Sequence, residues 1–588
     1  MKVGLEIHQR LNTSKLFCNC PAEGKNQIVG TVKRKLHAVK SETGNIDTAS
    51  LTEQMQDKTY EYVIFDNSCL VKLDEEPPHD INKEALLVAL AMSNKMNMKT
   101  VDQINIMRKT VIDGSNTSGF QRTAIVGLNG KLKTSKGIVG IQTLSLEEES
   151  ASIIGEKGEA KFGLDRLGIP LLEITTDPDI IDGEHARETA EKIGMLLRMT
   201  GKALRGIGTI RQDVNVSIEG GARIEIKGVQ ELDDISILIE KECERQSKLI
   251  EIIKKVPAKP SNGITLKEVT HLLKEGKGWI PKELSKGSVG IALKLPGLKG
   301  ILGIELYENR RYGTELSDRG KIYGFGGLIH GDEQLEKYGL NESEIRKELK
   351  LENDDNFVIL IGKNDEKMNF AFNDIFERAY LKEVPGETRK AIINGGSQFM
   401  RQISTGARMY PETDVPQIKI NKELIKESKK YEPRDPEEVL IELERETNKD
   451  LAPQLLKSKY LMDYRTAVDE GVEPIVAAVT FVNTLKNISR DKINIENITG
   501  EEIVEILIKY KNEEITKKGI EEIIRIKCNN QKQEINEIIK KNKLEKLNKK
   551  EIEKIIKEEE FDVKKIMMKY ANNVEASEVL ELIKKVSR

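Results

Sequence analysis

Apolar and polar positions alternate over much of the first 265 residues. In GLEIH, Leu5 and Ile7 take one side of an extended chain and Glu6 and His8 the other, and the same period recurs in GIVGIQTLSLEEE, RQDVNVSIEG and ARIEIKGVQ, each broken by glycine. Period-two alternation predicts half-buried strands. Between them, NKEALLVALAMSNKMN and HARETAEKIGMLLRMTGKAL predict helices, which makes residues 1–265 an α+β domain. From 266 to 415 the texture changes. GSVGIALKLPGLKG and NFVILIGK predict buried strands, and KMNFAFNDIFERAYLK predicts a helix running into Pro385-Gly386, so a second α+β module is expected to be inserted there. After DVPQIKI the pattern turns helical, with PEEVLIELERETN and EPIVAAVTFVNTLKN in a domain over 416–505 and a Lys/Glu/Ile-rich helical tail over 506–588. The fold class expected is multidomain α+β with all-helical C-terminal domains. No repeat of fixed period and no Pro- or Ser-rich linker interrupts it.

Composition changes this picture in three places. A chain of 588 residues is too long for one core and suits roughly three to five domains. No apolar run approaches the roughly 20 residues needed to cross a bilayer, and the charged N-terminus lacks the apolar core of a signal peptide, so no membrane association and a cytoplasmic location are expected. Five cysteines, Cys18, Cys20, Cys69, Cys243 and Cys528, are few, odd in number and scattered, which argues against a disulfide framework. The net charge of −3 gives no bulk attraction to nucleic acid, so a polyanion would have to be held by local basic patches. The charged C-terminal helices read first as solvated faces.

Candidate chemistry concentrates on the strands. A strand with Glu6 and His8 facing water is the plainest reading of GLEIH, and its company shifts that reading. LSLEEESAS carries Glu147, Glu148 and Glu149 in succession, and three adjacent carboxylates repel one another unless solvent or a cation neutralises them. LDRLGIPLLEITTDPD sets Asp165-Arg166 before an apolar strand that holds Glu173, a carboxylate that is costly there unless paired or coordinated; Asp177 and Asp179 follow. Arg211, Asp213, Asn215 and Ser217 share one face of a strand, as do Arg223, Glu225 and Lys227. Hard oxygen donors, one imidazole and several cations suit Mg²⁺ held together with nucleotide phosphates. The usual phosphate cradle G-x-x-x-x-G-K-[ST] is absent, as are the kinase H-R-D and D-F-G signatures. Cys18-x-Cys20 invites a zinc reading, but a structural site needs four ligands, which Cys69 or His37 could complete only by folding against it; plain buried or surface thiols are the expected reading. His79, beside Pro77-Pro78, reads as structural.

The blocks GLEIHQRLNTSKLFCNCP, CLVKLDEEPPHDIN, DGSNTSGFQRTAIV, LDRLGIPLLEITTDPD, IRQDVNVSIEGGARIEIKGVQEL and GSQFMRQISTGARMYPETDVP together resemble the archaeal glutamyl-tRNA(Gln) amidotransferase E subunits, a family related to the B subunit of the bacterial enzyme. The resemblance covers essentially the whole chain. It implies a mixed α/β cradle catalytic domain, an inserted α+β domain similar to one in bacterial-type aspartyl-tRNA synthetases, with KLPGLKG, GKIYGFGGLIHG and DNFVILIGKND in the expected order, and helical C-terminal domains. The reaction implied is ATP-dependent: the side-chain carboxylate of glutamate esterified to tRNA(Gln) is phosphorylated, and ammonia then displaces phosphate. Ammonia is implied to come from an asparaginase-like D subunit, in a dimer of heterodimers. Carried onto this sequence, the implied Mg²⁺ ligands are Glu6, His8, Glu147, Glu148, Asp213 and Glu225. Glu148, Arg166, Arg211 and Lys227 are expected in the phosphoryl step, the last three as phosphate contacts. Two departures stand out. Many relatives of the bacterial branch carry two Cys pairs where only Cys18-x-Cys20 remains, which weighs against zinc, and the tail MMKYANNVEASEVLELIKK lacks their Gly-rich turn. Two other readings use the same residues: a non-catalytic tRNA-recognition subunit with a structural cation, and a metal-dependent hydrolase that needs neither ATP nor tRNA.

Overall fold

The structure, a computed structural model, describes residues 1–40, 44–46, 50, 54, 58–156, 159–393, 395–403 and 408–586. Residues 404–407, within the GSQFMRQISTGARMYPETDVP block, lie outside the described residues. The chain is multidomain α+β and divides into two compact units, residues 1–433 and 434–588.

The first unit is organised by a large mixed sheet. Its strands in chain order are β1 (Lys2–Arg10), β2 (Ile106–Thr110), β3 (Phe120–Thr134), β4 (Gly137–Glu148), β5 (Pro170–Thr176), β6 (Ile210–Ser217), β7 (Ile224–Val229), β8 (Glu387–Ile392), β9 (Gly396–Gln402) and β10 (Met409–Pro411). In space they run β9-β8-β7-β6-β1-β5-β4-β3-β2-β10, with the short strand Lys99–Thr100 pairing β3. β1 is thus central, antiparallel to both β5 and β6. The predicted alternation holds: Val3, Leu5 and Ile7 are fully buried in a core with Val214, Val216, Ile224 and Ile226. Helices α1 (Lys83–Lys95), α2 (Gly183–Met199) and α3 (Leu232–Ile253) cover that face with Leu86, Leu90, Ala186, Ile193, Ile235 and Leu238. Each fully buried Leu or Ile contributes about 1.5–3 kcal/mol, so the apolar face fixes the register, and a slip of one residue would turn Glu6 and His8 into the core. The Asn82 and Asp182 side chains cap α1 and α2 by accepting from the amides of Ala85 and His185.

The insertion carries its own four-stranded sheet, in the order Leu266–Glu268, Val289–Leu295, Asn356–Gly362, Ile329–His330. Helices α4 (Tyr312–Ile322) and α5 (Glu366–Ala379) pack on it through Leu316, Phe372 and Ile375. Sequence texture ran the insertion to residue 415, whereas the fold returns the chain to the large sheet earlier. β8 pairs parallel with β7, and β10 pairs β2 at the opposite edge. The reason is tertiary: the partners of these strands lie far away in sequence, where local periodicity carries no information about them. A further four-stranded sheet, Ile28–Arg34, Tyr60–Phe65, Lys161–Gly163 and Ser152–Ile153, has its own core around Tyr60, Tyr62 and Phe162.

The unit 434–588 is built of short helices. Capping boxes start two of them, Thr499 with Glu502 and Asn548 with Glu551. Isoleucines such as Ile552, Ile556 and Ile566 make a core in the tail. Among the described residues no helix is long and apolar enough to cross a membrane.

Candidate metal and phosphate site

The face of the large sheet opposite the helices collects the polar residues of five neighbouring strands. Register sets Glu6 beside Asp213 and His8 beside Arg211 on one side of β1, and His8 beside Glu173 on the other. One strand further out, Glu225 of β7 lies opposite Asn215 of β6. Two groups of ligand atoms result, Glu6 with His8 and Glu173, and Glu6 with Asp213 and Glu225, the atoms of each within 4.8 Å of one another. Glu6 belongs to both.

Specific hydrogen bonds hold each of these side chains. His8 Nε2 lies 3.1 Å from Glu173 Oε2. Asn215 Nδ2 donates to Glu6 Oε1 at 3.0 Å. Lys227 Nζ bridges Asp213 Oδ2 at 2.8 Å and Glu225 Oε1 at 2.5 Å. A bulge in β7 lets the Gly228 amide reach Asp213 Oδ1 at 3.0 Å, with Gly228 at φ 82°, a backbone conformation that glycine takes without strain.

Electrostatics show which charge is left over. Burial, and then the Glu173, Glu225 and Asp213 carboxylates, push the Glu6 carboxyl up to about 7 although Lys227 opposes them. Burial would lower the His8 imidazole, but the bonded Glu173 outweighs it and raises the ring above its ordinary value. Asp213 and Glu225 are held below the carboxylate range against burial, chiefly by Lys227. With Glu147 and its partner Lys109 included, five carboxylates therefore face two lysines and one imidazole, and the buried His8 Nδ1 has no hydrogen-bond partner. Hard oxygens in excess with one imidazole fit a divalent cation such as Mg²⁺.

The three consecutive glutamates separate. Glu147 faces the basin, where it accepts from Lys109 Nζ at 2.6 Å, Thr123 Oγ1 at 2.8 Å and Gln121 Nε2 at 3.1 Å. Glu148, the next residue on the strand, points to the other side and meets Lys72 Nζ at 2.7 Å and Arg122 Nη1 at 3.2 Å. The sequence expectation placed both in the metal set; the structure gives each a protein cation and leaves Glu148 outside the basin. Glu149 accepts from Arg211 Nη1 at 2.9 and 3.0 Å and lies 3.3 Å from Arg10 Nε. Arg166 is close enough for its charge to act on both Arg10 and Glu149, and its buried Nε has no partner. Three guanidiniums thus surround one carboxylate, an excess of positive charge beside the acid basin. Of the expected phosphate contacts, Arg166 and Arg211 join this cluster, while Lys227 is bound to Asp213 and Glu225.

Folding also brings Cys69 to Cys18 and Cys20, with three Sγ atoms within 4.8 Å of one another. A closed structural zinc site takes four ligands, and no fourth His or Cys joins them among the described residues. His37 is exposed and outside this group, and His79 lies 3.7 Å from Glu76.

Residues 1–426 match the family described as the GatB/GatE catalytic domain, and residues 463–585 match the GatB domain. The chain belongs to the GatB/GatE family. It is 43% identical over 540 residues to the E subunit of the glutamyl-tRNA(Gln) amidotransferase of Methanococcus maripaludis, covering 89% of this chain and 85% of that one. Against the E subunit of Sulfolobus acidocaldarius it is 44% identical over 544 residues, with 89% and 86% covered. Against that of Haloarcula marismortui it is 41% identical over 542 residues, with 90% and 86% covered. The GatB/GatE catalytic match takes in both β1 and the segment after β10, where Glu412 accepts from Arg122 Nε at 2.7 Å and Arg108 Nη2 at 2.6 Å beside the Arg122–Glu148 pair.

Several residues of this GatB/GatE site escaped the sequence reading. Arg10 continues the Glu6, His8 alternation by one more step and could have been found from it. Glu173 was conspicuous as a carboxylate in an apolar strand, though not as a ligand. Lys72, Lys109 and Arg122 had no local signal, because only the pairing of distant strands and loops brings them to Glu147 and Glu148.

Proposed function

We propose that this chain is the E subunit of a glutamyl-tRNA(Gln) amidotransferase and performs its ATP-dependent step. The observation that carries the reading is one sheet face on which an acid basin, with Glu6 left uncompensated, adjoins a cluster of guanidiniums. Glu6, His8, Glu173, Asp213 and Glu225 are the residues that would hold Mg²⁺, with Glu147 beside them. Bound there, Mg²⁺ supplies charge neutralisation to the phosphates of ATP.

In the proposed reaction, a side-chain carboxylate oxygen of tRNA-bound glutamate attacks the terminal phosphorus of ATP, and the bond to ADP breaks to leave an acyl phosphate. Ammonia then adds to the carbonyl, phosphate leaves, and the nitrogen gives up one proton to become the amide. Arg10, Arg166 and Arg211 suit the polyphosphate, since their joint charge exceeds that of Glu149 and guanidinium geometry matches phosphate oxygens. Lys227 and the Gly228 amide fix Asp213. Lys109 fixes Glu147. The sequence carries no G-x-S-x-G amidase centre of its own, which fits ammonia delivered by an asparaginase-like partner subunit, in a dimer of heterodimers acting on tRNA in the cytoplasm.

The test is ADP release from Mg²⁺-ATP by the chain with its partner, comparing glutamyl-tRNA(Gln) with uncharged tRNA. ADP is expected only with the charged tRNA, and Glu6→Gln or Asp213→Asn should lower its rate by about a hundredfold or more, since the cation's contribution is worth several kcal/mol. Charged tRNA that binds without ADP formation would leave the chain a recognition subunit.

A further inference from the structure

The basin includes one hydroxyl that comes from beyond the insertion. β8 lies parallel to β7, and the register sets Thr388 beside Glu225. Thr388 is fully buried, and its Oγ1 donates to Glu225 Oε2 at 2.9 Å. The other oxygen of Glu225, Oε1, is held by Lys227 Nζ at 2.5 Å. Both oxygens are thereby fixed by separate donors, and each keeps a lone pair for a further partner.

The strand that presents Thr388 is itself immobilised from its other face. Alternation turns Glu387 and Arg389 away from the basin and into a fully buried ion network. Arg389 Nη1 meets Glu387 Oε2 at 2.8 Å, and its Nη2 meets Glu315 Oε1 at 2.7 Å. Arg378 spans the same two carboxylates at 2.8 and 2.7 Å. Arg319 pairs with Glu387, and Arg310 and Arg245 reach Glu315 at 2.7 and 3.3 Å. Glu315 and Arg319 belong to α4 and Arg378 to α5, both helices of the insertion, while Arg245 belongs to α3. The network therefore clamps β8 between the insertion and α3. Removing one partner from such a buried pair leaves an uncompensated charge, so the clamp has no low-cost alternative arrangement.

The geometry points to Thr388 as a positioning residue for Glu225: its hydroxyl fixes the rotation of that carboxylate so that the free lone pairs of Glu225 converge with those of Glu6 and Asp213. This rests on the metal reading above and extends it to a residue supplied from beyond the insertion. Carboxylates that hold a cation are commonly oriented by a partner of this kind, and loss of the partner typically costs 10–100-fold in affinity.

The test uses Mn²⁺ alone as probe, its binding to the full chain followed by the EPR signal of the free ion, without nucleotide or tRNA. Thr388→Val removes the hydroxyl at nearly constant volume and should weaken Mn²⁺ affinity about tenfold. Thr388→Ser restores the donor and should stay within about twofold of wild type, a split that loss of packing alone would not give. In ADP release the same Val change should raise the Mg²⁺ concentration needed for half activity while kcat at saturating Mg²⁺ recovers. If Thr388→Val fails to fold, Thr388→Cys, with a weaker donor of similar size, takes its place and should also bind less tightly. Wild-type affinity in the Val or Cys variant overturns the positioning role, as does a Ser variant no better than Val. Absence of Mn²⁺ binding by wild type overturns the metal reading itself, and the positioning role with it.

Discussion

Glu147 and Glu148 are neighbours in sequence and face different surroundings in the fold, with measurable consequences. Burial alone would raise the Glu148 carboxyl, but Lys72 and then Arg122 bring it from 4.5 down to about 2. A group whose folded value is depressed stabilises the fold above its unfolded value and loses that contribution as pH falls toward the folded one. The stabilisation, on the order of 3 kcal/mol, is therefore present above pH 4.5 and lost on the way to pH 2. Calorimetry should show a melting temperature that this pair leaves level from about pH 6 to about pH 5 and that falls from there to about pH 3, and Lys72→Met should lower the neutral value while flattening that slope. At this scale the sequence was legible wherever alternation on one strand sufficed: Glu6, His8, Asp213 and Glu225 share the basin. It failed where orientation depended on which side of a strand end a residue falls, as for Glu148. It also failed where partners are far apart, since Thr388 meets Glu225 across 163 residues.

Elements were easier to read than their partners. The helices expected in NKEALLVALAMSNKMN and KMNFAFNDIFERAYLK form as Lys83–Lys95 and Glu366–Ala379, because their apolar spacing and their Asn82 and Asp365 caps are local. β7 was expected too, but its bulge was not, since a glycine within IEIKGVQ does not announce whether it bends a strand or ends it. That bulge is testable. A Cβ on Gly228 would meet nothing within 4 Å, so Gly228→Ala strains the backbone without a clash, at a cost of about 1 kcal/mol. It should also turn the amide away from Asp213. The expected result is a small loss of thermal stability together with weaker Mn²⁺ binding, whereas Gly300→Ala, in the left-handed region with open space and outside the site, should lose stability alone.

The molecule consists of two units with separate cores, and β8, β9 and β10 belong to the first of them. Residues 1–433 alone should therefore fold, give a single cooperative melting transition and bind Mn²⁺ like the full chain; unfolding of this fragment under conditions where the full chain is stable would show that the helical unit is required. A cut at 415 would instead remove Tyr431, whose hydroxyl donates to Glu84 Oε1 of α1 at 2.7 Å. The central position of β1 also has a consequence in time. The hydrogen-bonding partners of β1 lie far along the chain, at residues 171–175 and 210–217. At about 5–20 residues per second, roughly eight to forty seconds of synthesis separate β1 from these two partners, so Glu6 and His8 reach their final surroundings only after much of the first unit has been synthesised.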